Sequence, residues 1–161
     1  MSKGVNANLS QVATSNTAVK TKAIMLSSKE KDMQQQVIYS YLTRSYWAKG
    51  ITQQLVSQSI KNSLCFGAYI DSKQVAFARV ITDKTSFAYL ADVFVLESFR
   101  GQGISKMIMR EVMAHPDLQT IRRFMLCTAD AHGLYQQFGF SEAKSPENLM
   151  AIHRPNIYKS S

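Results

Sequence analysis

"ESFRGQGISKMIMREVM" (residues 97–113) joins the end of an apolar strand to the start of an amphipathic helix through one arginine and two glycines. A helix that begins at glycines leaves its first backbone N–H groups without intrahelical partners and with no side chains over them, so they converge on one spot. The helix dipole favours an anion there. Gly101 and Gly103 let a bulky phosphate approach the backbone, and Arg100 and Lys106 add positive charge. The same four residues, Arg100 to Gly103, also read as a plain tight turn in which glycine serves only its φ angle. Neither the G-x-G-x-x-G dinucleotide fingerprint nor a G-x-x-x-x-G-K-[ST] loop is present in this stretch.

Just before it, "LCFGAYI" (64–70), "QVAFARVIT" (74–82) and "FAYLADVFVL" (87–96) are rich in β-branched and aromatic residues. The polar breaks "DSK" and "DKTS" between them predict hairpin turns, hence three antiparallel strands. Nearer the start, "AVKTKAIML" (18–26) predicts a first strand. Residues 27–47 then predict a helix with Met33, Val37 and Tyr41 facing inward, and residues 51–63 a second with Ile51, Leu55, Val56 and Ile60 on one face. Helical spacing returns from Gly103 to about His115, with Ile104, Met107, Ile108 and Val112 inward and Pro116 as the stop. "RRFMLCT" (122–128) predicts a strand, "DAHGLYQQF" (130–138) a short helix ended by Gly139, and "LMAIHR" (149–154) a last strand. The order is β-α-α-β-β-β-α-β-α-β. It describes an α/β (α+β) fold with a mixed, mostly antiparallel central sheet flanked by helices, in which the helix after the third hairpin strand crosses over to a parallel strand.

At 161 residues the chain suits one domain over 18–161, with the Ser-, Asn- and Thr-rich residues 1–17 as a mobile leader. Nineteen Lys and Arg against 11 Asp and Glu give a formal charge of +8, which favours anionic ligands such as nucleotides. The basic residues do not cluster with aromatics in an RNP-like or helix-turn-helix pattern, which argues against a nucleic-acid module. No run reaches the roughly 18 apolar residues of a membrane span, and the leader has no signal-peptide core. Cys65 and Cys127 both lie in apolar runs that read as strands, so buried free thiols and a reducing, cytoplasmic setting are expected. The three histidines lack metal-ligand spacing, so no metal is expected.

"DVFVLESFRGQGISKMIM", followed by "LCTADAHGLYQQFGF", resembles the GNAT superfamily of acetyl-CoA-dependent N-acetyltransferases. The family's [RQ]-x-x-G-x-[GA] signature lies across Arg100, Gly101, Gln102, Gly103, Ile104 and Ser105. Here Ser105 replaces the usual Gly or Ala but keeps the backbone N–H. "LYQQFGF" is similar to the family's later motif, a short helix that carries a tyrosine and ends at Gly-Phe.

The resemblance implies a cofactor, acetyl-CoA, and an acceptor, a small-molecule amine. Its pantetheine arm would hydrogen-bond the backbone of Phe94 and Val95 like an added strand. Its diphosphate would be held by the N–H groups of Gly101 to Lys106, with Asp130 placed beside the coenzyme. The strand after the crossover would splay from "DVFVL" to open a notch. Tyr135 would protonate the departing thiolate, a phenol of pKa about 10 against a thiol of about 8.5. A backbone N–H near Val95 would polarise the thioester carbonyl. Relatives often form homodimers, which makes a homodimer an expectation here too. A coenzyme-binding sensor without catalysis is the alternative of a different class.

Other roles rest on the residues themselves and stay open. Asp92, flanked by apolar neighbours in "YLADVFVL", is the candidate base for the amine, and its alternative is pairing with Arg79 on the next strand. Glu97 is a weaker base, at an exposed strand end. Arg79 is otherwise an anchor for an acceptor carboxylate. Tyr46 and Trp47, in the turn after the first helix, are either aromatic walls of the acceptor mouth or core anchors. Asp130 also reads as an N-cap, and Tyr135 as part of a packed helix face.

Overall fold

A computed structural model describes residues 23–158. The alternation of the three central strands sets the layers. β2 (Leu64–Ile70), β3 (Lys73–Thr82) and β4 (Phe87–Val95) form an antiparallel meander whose side chains divide between two faces. Phe77, Phe94 and Cys65 point to one face, where α1 (Gln35–Leu42) and α2 (Gln53–Lys61) cover them with Ile38, Leu42, Val56 and Ile60. Ala76, Ala78, Val80, Ala88 and Leu90 point to the other, against Ile104, Ile108, Met109 and Val112 of α3 (Ile104–Ala114).

β1 (Met25–Ser27) pairs antiparallel with β2, and β5 (Arg123–Met125) pairs parallel with β4. The sheet order is therefore β1-β2-β3-β4-β5, with α3 as the crossover to the parallel strand. α4 (His132–Gln136) follows, setting Tyr135 against the α3 face of the sheet.

Two irregularities position the site. First, β5 meets β4 only at Phe87, Ala88 and Tyr89, so on that side Leu90 to Val95 run on with no strand beside them and the sheet opens into the expected notch. Second, β4 carries a bulge: Phe94 pairs with Phe77 and Ala91 with Arg79, leaving Asp92 and Val93 opposite the single residue Ala78. Asp92 takes φ of +55° there, a left-handed conformation that Asp tolerates better than branched residues do.

Several expectations are corrected. The described part of the first strand is only Met25–Ser27; the expected residues 18–22, like the leader, lie outside the described residues. The long first helix is instead a 3-10 turn at Glu30–Asp32 followed by α1. Gln34 stops the two from merging, because its backbone and side chain bond reciprocally with buried Gln74 of β3. Beyond Leu42 the chain turns, held by Ser45, whose hydroxyl donates to the Leu42 carbonyl and accepts from the Ala48 N–H. Leu55 is 39% exposed rather than inward.

The last strand does not form. Residues 149–154 carry no regular structure, with Met150 97% and Ile152 88% exposed, and a three-residue β5 offers no ladder long enough to hold them. Cys127 is exposed, since β5 ends at Met125, whereas Cys65 is buried as expected.

Candidate functional site

The start of α3 is built as the glycines predicted. Gly103 is the N-cap with φ of +75° and no side-chain cap, and Gly101 has φ of +77°. A Cβ at either position would meet nothing within 4 Å, so the space above the turn is open. None of the amides of residues 101 to 106 donates to a protein acceptor among the described residues. Six N–H groups with no described partner thus gather at the positive end of an eleven-residue helix, beside open space at Gly101 and Gly103 and next to exposed Lys106 and Arg100.

From there the notch runs along β4. The Leu96 N–H donates to the Val75 carbonyl at 2.8 Å, so by antiparallel alternation Phe94 also turns its backbone to β3 and Val95 faces the notch. Of the expected pair, only Val95 presents backbone groups to the open edge. Phe94 contributes its ring, stacked on Tyr41 at 3.9 Å. The Val95 carbonyl accepts from Arg100 Nε at 3.1 Å, and the same guanidinium donates to the Tyr41 hydroxyl at 2.9 Å.

A cleft of about 270 Å³ adjoins the notch where Arg100 lies on the Val95 carbonyl. Arg44, Tyr46 and Trp47 of the α1–α2 turn, Tyr41 of α1, and Glu97, Arg100 and Asp130 line it. Tyr46 is 68% and Trp47 40% exposed, their rings edge to face at 4.9 Å, so they are walls rather than core anchors. Arg44 grips Glu97 through two hydrogen bonds of 2.8 and 3.1 Å, which hold the Glu97 carboxyl down at about 2.

Asp92 is not free. One carboxylate oxygen accepts from Arg79 Nε and the other from Trp47 Nε1 at 3.0 Å, while Arg79 also donates to the Ser63 hydroxyl at 3.2 Å. The pairing of Asp92 with Arg79 is thus the arrangement that forms. It occupies both the candidate base and the candidate carboxylate anchor. The side chains are only 9% and 16% exposed, and together they set the indole of Trp47 at the cleft.

Tyr135 is 8% exposed, and burial pushes its phenol up to about 12, with smaller contributions from Tyr46 and Asp130. Its hydroxyl makes no hydrogen bond among the described residues. No buried side-chain polar atom among the described residues is left unpartnered, so that hydroxyl keeps contact with solvent. Asp130 does not cap α4. Ala131 holds that position, and its N–H donates to Thr128 Oγ1 at 3.0 Å. The Asp130 carboxylate is exposed and has no partner among the described residues.

The sequence reading missed Tyr41 and Arg44 as site residues. Tyr41 was legible only as an inward-facing residue, and nothing in the spacing joins Arg44 to Glu97, 53 positions away. Among the described residues no group of His, Cys, Asp and Glu is placed to hold a metal ion, and no helix is long and apolar enough to cross a membrane.

The chain is similar to proteins with this architecture. A crystal structure of a GNAT-family protein from Xanthomonas campestris pv. campestris is 47% identical, with a TM-score of 0.84 over 86% of this chain and 98% of that one. A Gibberella zeae protein named among the acetyltransferases is 28% identical over 129 residues, 66% of this chain and 72% of that protein. A Clostridium acetobutylicum protein crystallised with acetyl-CoA shares the fold at 14% identity, with a TM-score of 0.61 over 81% of this chain and 96% of that one. The family description "Acetyltransferase (GNAT) domain" matches residues 61–142, which take in the bulged strand, the open start of α3 and the Tyr135 helix. With the meander, the notch and the glycine-capped crossover helix in place, this chain belongs to the GNAT family of acetyltransferases.

Proposed function

We propose that the enzyme takes acetyl-CoA as its donor and moves the acetyl group directly to the nitrogen of a small primary amine. The observation that carries this reading is the set of partnerless amides at residues 101 to 106 over an open volume. Such a site fits a diphosphate: the donors are fixed, the glycines leave room, and Arg100 and Lys106 supply charge. The Val95 edge fits the amide-bearing arm of the coenzyme, which can add to β4 where β5 has left it.

When bound, acetyl-CoA supplies a thioester carbonyl activated for attack. The Val95 N–H, turned out from β3, is the donor available to that carbonyl. Tyr135 holds a proton at its hydroxyl on the notch. With its phenol near 12 it is a weaker acid than a solvated tyrosine. The burial that raises it also raises the conjugate acid of a thiolate in the same place, which brings the two back toward a match. Asp92 orients Trp47 and pairs with Arg79, and on this reading that positioning is its role, with the amine's proton passing to solvent.

Calorimetric titration with coenzyme A tests the donor half, and a thiol-release assay with an amine panel tests the acceptor half. Absence of any heat with coenzyme A at millimolar concentration, on folded protein, would overturn the proposal.

A further inference from the structure

We infer that the cleft takes its acceptor as a small ammonium ion lacking a carboxylate, held by Asp130 together with the rings of Tyr46 and Trp47. This deepens the acetyl-transfer reading above and rests on it.

The argument is a census of charge in the cleft. Arg44 has both arms on Glu97. Arg100 points one donor at the Val95 carbonyl and another at the Tyr41 hydroxyl, lies 3.6 Å from Glu97, and on the acetyl-transfer reading turns its remaining charge to the diphosphate. Behind Trp47, Arg79 is spent on Asp92 and Ser63. Every guanidinium that could bind an acceptor's carboxylate already has an internal partner. Glu97 is neutralised by Arg44. Asp130 alone among the cleft's charged groups has no hydrogen bond or ion pair with a described residue.

The same cleft is lined by aromatic rings, whose faces attract a cation. Tyr46 and Trp47 meet edge to face at 4.9 Å, and Tyr41 lies 6.2 Å from Trp47, so a small cation entering the cleft meets clustered rings and a free carboxylate in one lining. Asp130 and Tyr46 both act electrostatically on the Tyr135 phenol, which puts this subsite next to the proposed proton donor. A zwitterionic amino acid would bring a carboxylate toward Asp130, where Arg44 is taken by Glu97, Arg79 by Asp92, and Arg100 by its internal acceptors and, on the acetyl-transfer reading, by the diphosphate. Like-charge repulsion and desolvation then select against it.

Trp47 is the chain's single tryptophan, so its fluorescence reports on the cleft directly. The experiment titrates the protein with phenethylammonium chloride and, separately, with phenylalanine, which differs by its carboxylate. The expected result is a saturable fluorescence change with phenethylammonium and binding at least tenfold weaker for phenylalanine. Asp130→Asn should weaken phenethylammonium at least tenfold, Asp130→Glu should recover most of it, and the affinity for coenzyme A should stay within twofold in both variants. Equal binding of the two probes, no saturable change with phenethylammonium, or an unchanged Asp130→Asn would each overturn the inference. So would an Asp130→Asn variant that loses coenzyme A and keeps the amine, which would return Asp130 to the coenzyme arm. Calorimetry with coenzyme A on the same sample separates the two claims: a wild type that binds the amine but not the coenzyme fails the donor reading and leaves the subsite standing.

Discussion

The indole N–H of Trp47 donates to the Asp92 carboxylate at 3.0 Å, and the other oxygen of that carboxylate accepts from Arg79. One bulge residue thereby fastens a loop on the acceptor side to the middle of the sheet, 45 positions away. Removing the carboxylate strands a largely buried guanidinium. Asp92→Ala should destabilise the fold by about 3–5 kcal/mol, measured by denaturant unfolding. Asp92→Asn keeps an acceptor for Trp47, and at a temperature where it stays folded its acid-side pH profile should match wild type. A lost acid limb at full stability would instead identify Asp92 as the base.

Tyr135→Phe retains the ring that packs against Phe140 and deletes a hydroxyl that has no hydrogen-bond partner among the described residues. Stability should change by no more than about 0.5 kcal/mol. The turnover rate should fall about 100-fold or more, as for loss of a general acid, with the KM for acetyl-CoA little changed. Because the phenol lies near 12, it stays protonated through pH 10, so the wild-type rate should show no alkaline decline traceable to Tyr135 below that pH.

Gly103→Ala places a side chain at φ of +75° and points its Cβ into the empty volume over the helix start. The strain is worth about 1 kcal/mol of stability. If the turn instead relaxes, the amides lose their convergence, and coenzyme A should bind about tenfold more weakly by calorimetry. Gly133→Ala, at an open glycine with ordinary φ, is the control expected to leave binding unchanged.

Burial comes first among the causes that raise the phenols of Tyr69, Tyr89 and Tyr135 and the thiol of Cys65, each to about 12. A group whose pKa is higher folded than unfolded gives stability that is whole below its unfolded pKa and lost as pH rises through the folded one. For the three phenols that window runs from about pH 10 to 12. The melting temperature should drop across it, and the phenolate absorbance of these three of seven tyrosines should appear late, together with unfolding. In the folded protein at neutral pH a disulfide reagent should modify Cys127 and spare Cys65.

By itself the sequence determined the layers and the bare glycine turn at the start of α3. Both follow from local rules: period two against period 3.6, and glycines where a helix needs its N-terminus bare. The "RGQG" turn is legible because backbone N–H geometry depends only on neighbouring residues, and the structure adds just the empty space above it. Tertiary packing decided the rest. No periodicity announces that Asp92 sits in a bulge, because the extra residue shows only against Ala78 of the partner strand. That placement turned the candidate base into the mate of Arg79 and Trp47. It likewise took pairing to show that β5 ends after three residues, which opens the notch, exposes Cys127 and leaves residues 149–154 without a ladder despite their strand-like composition. Side-chain pattern records what a segment prefers; hydrogen-bond partners and ion pairs across dozens of positions exist only once the chain has folded.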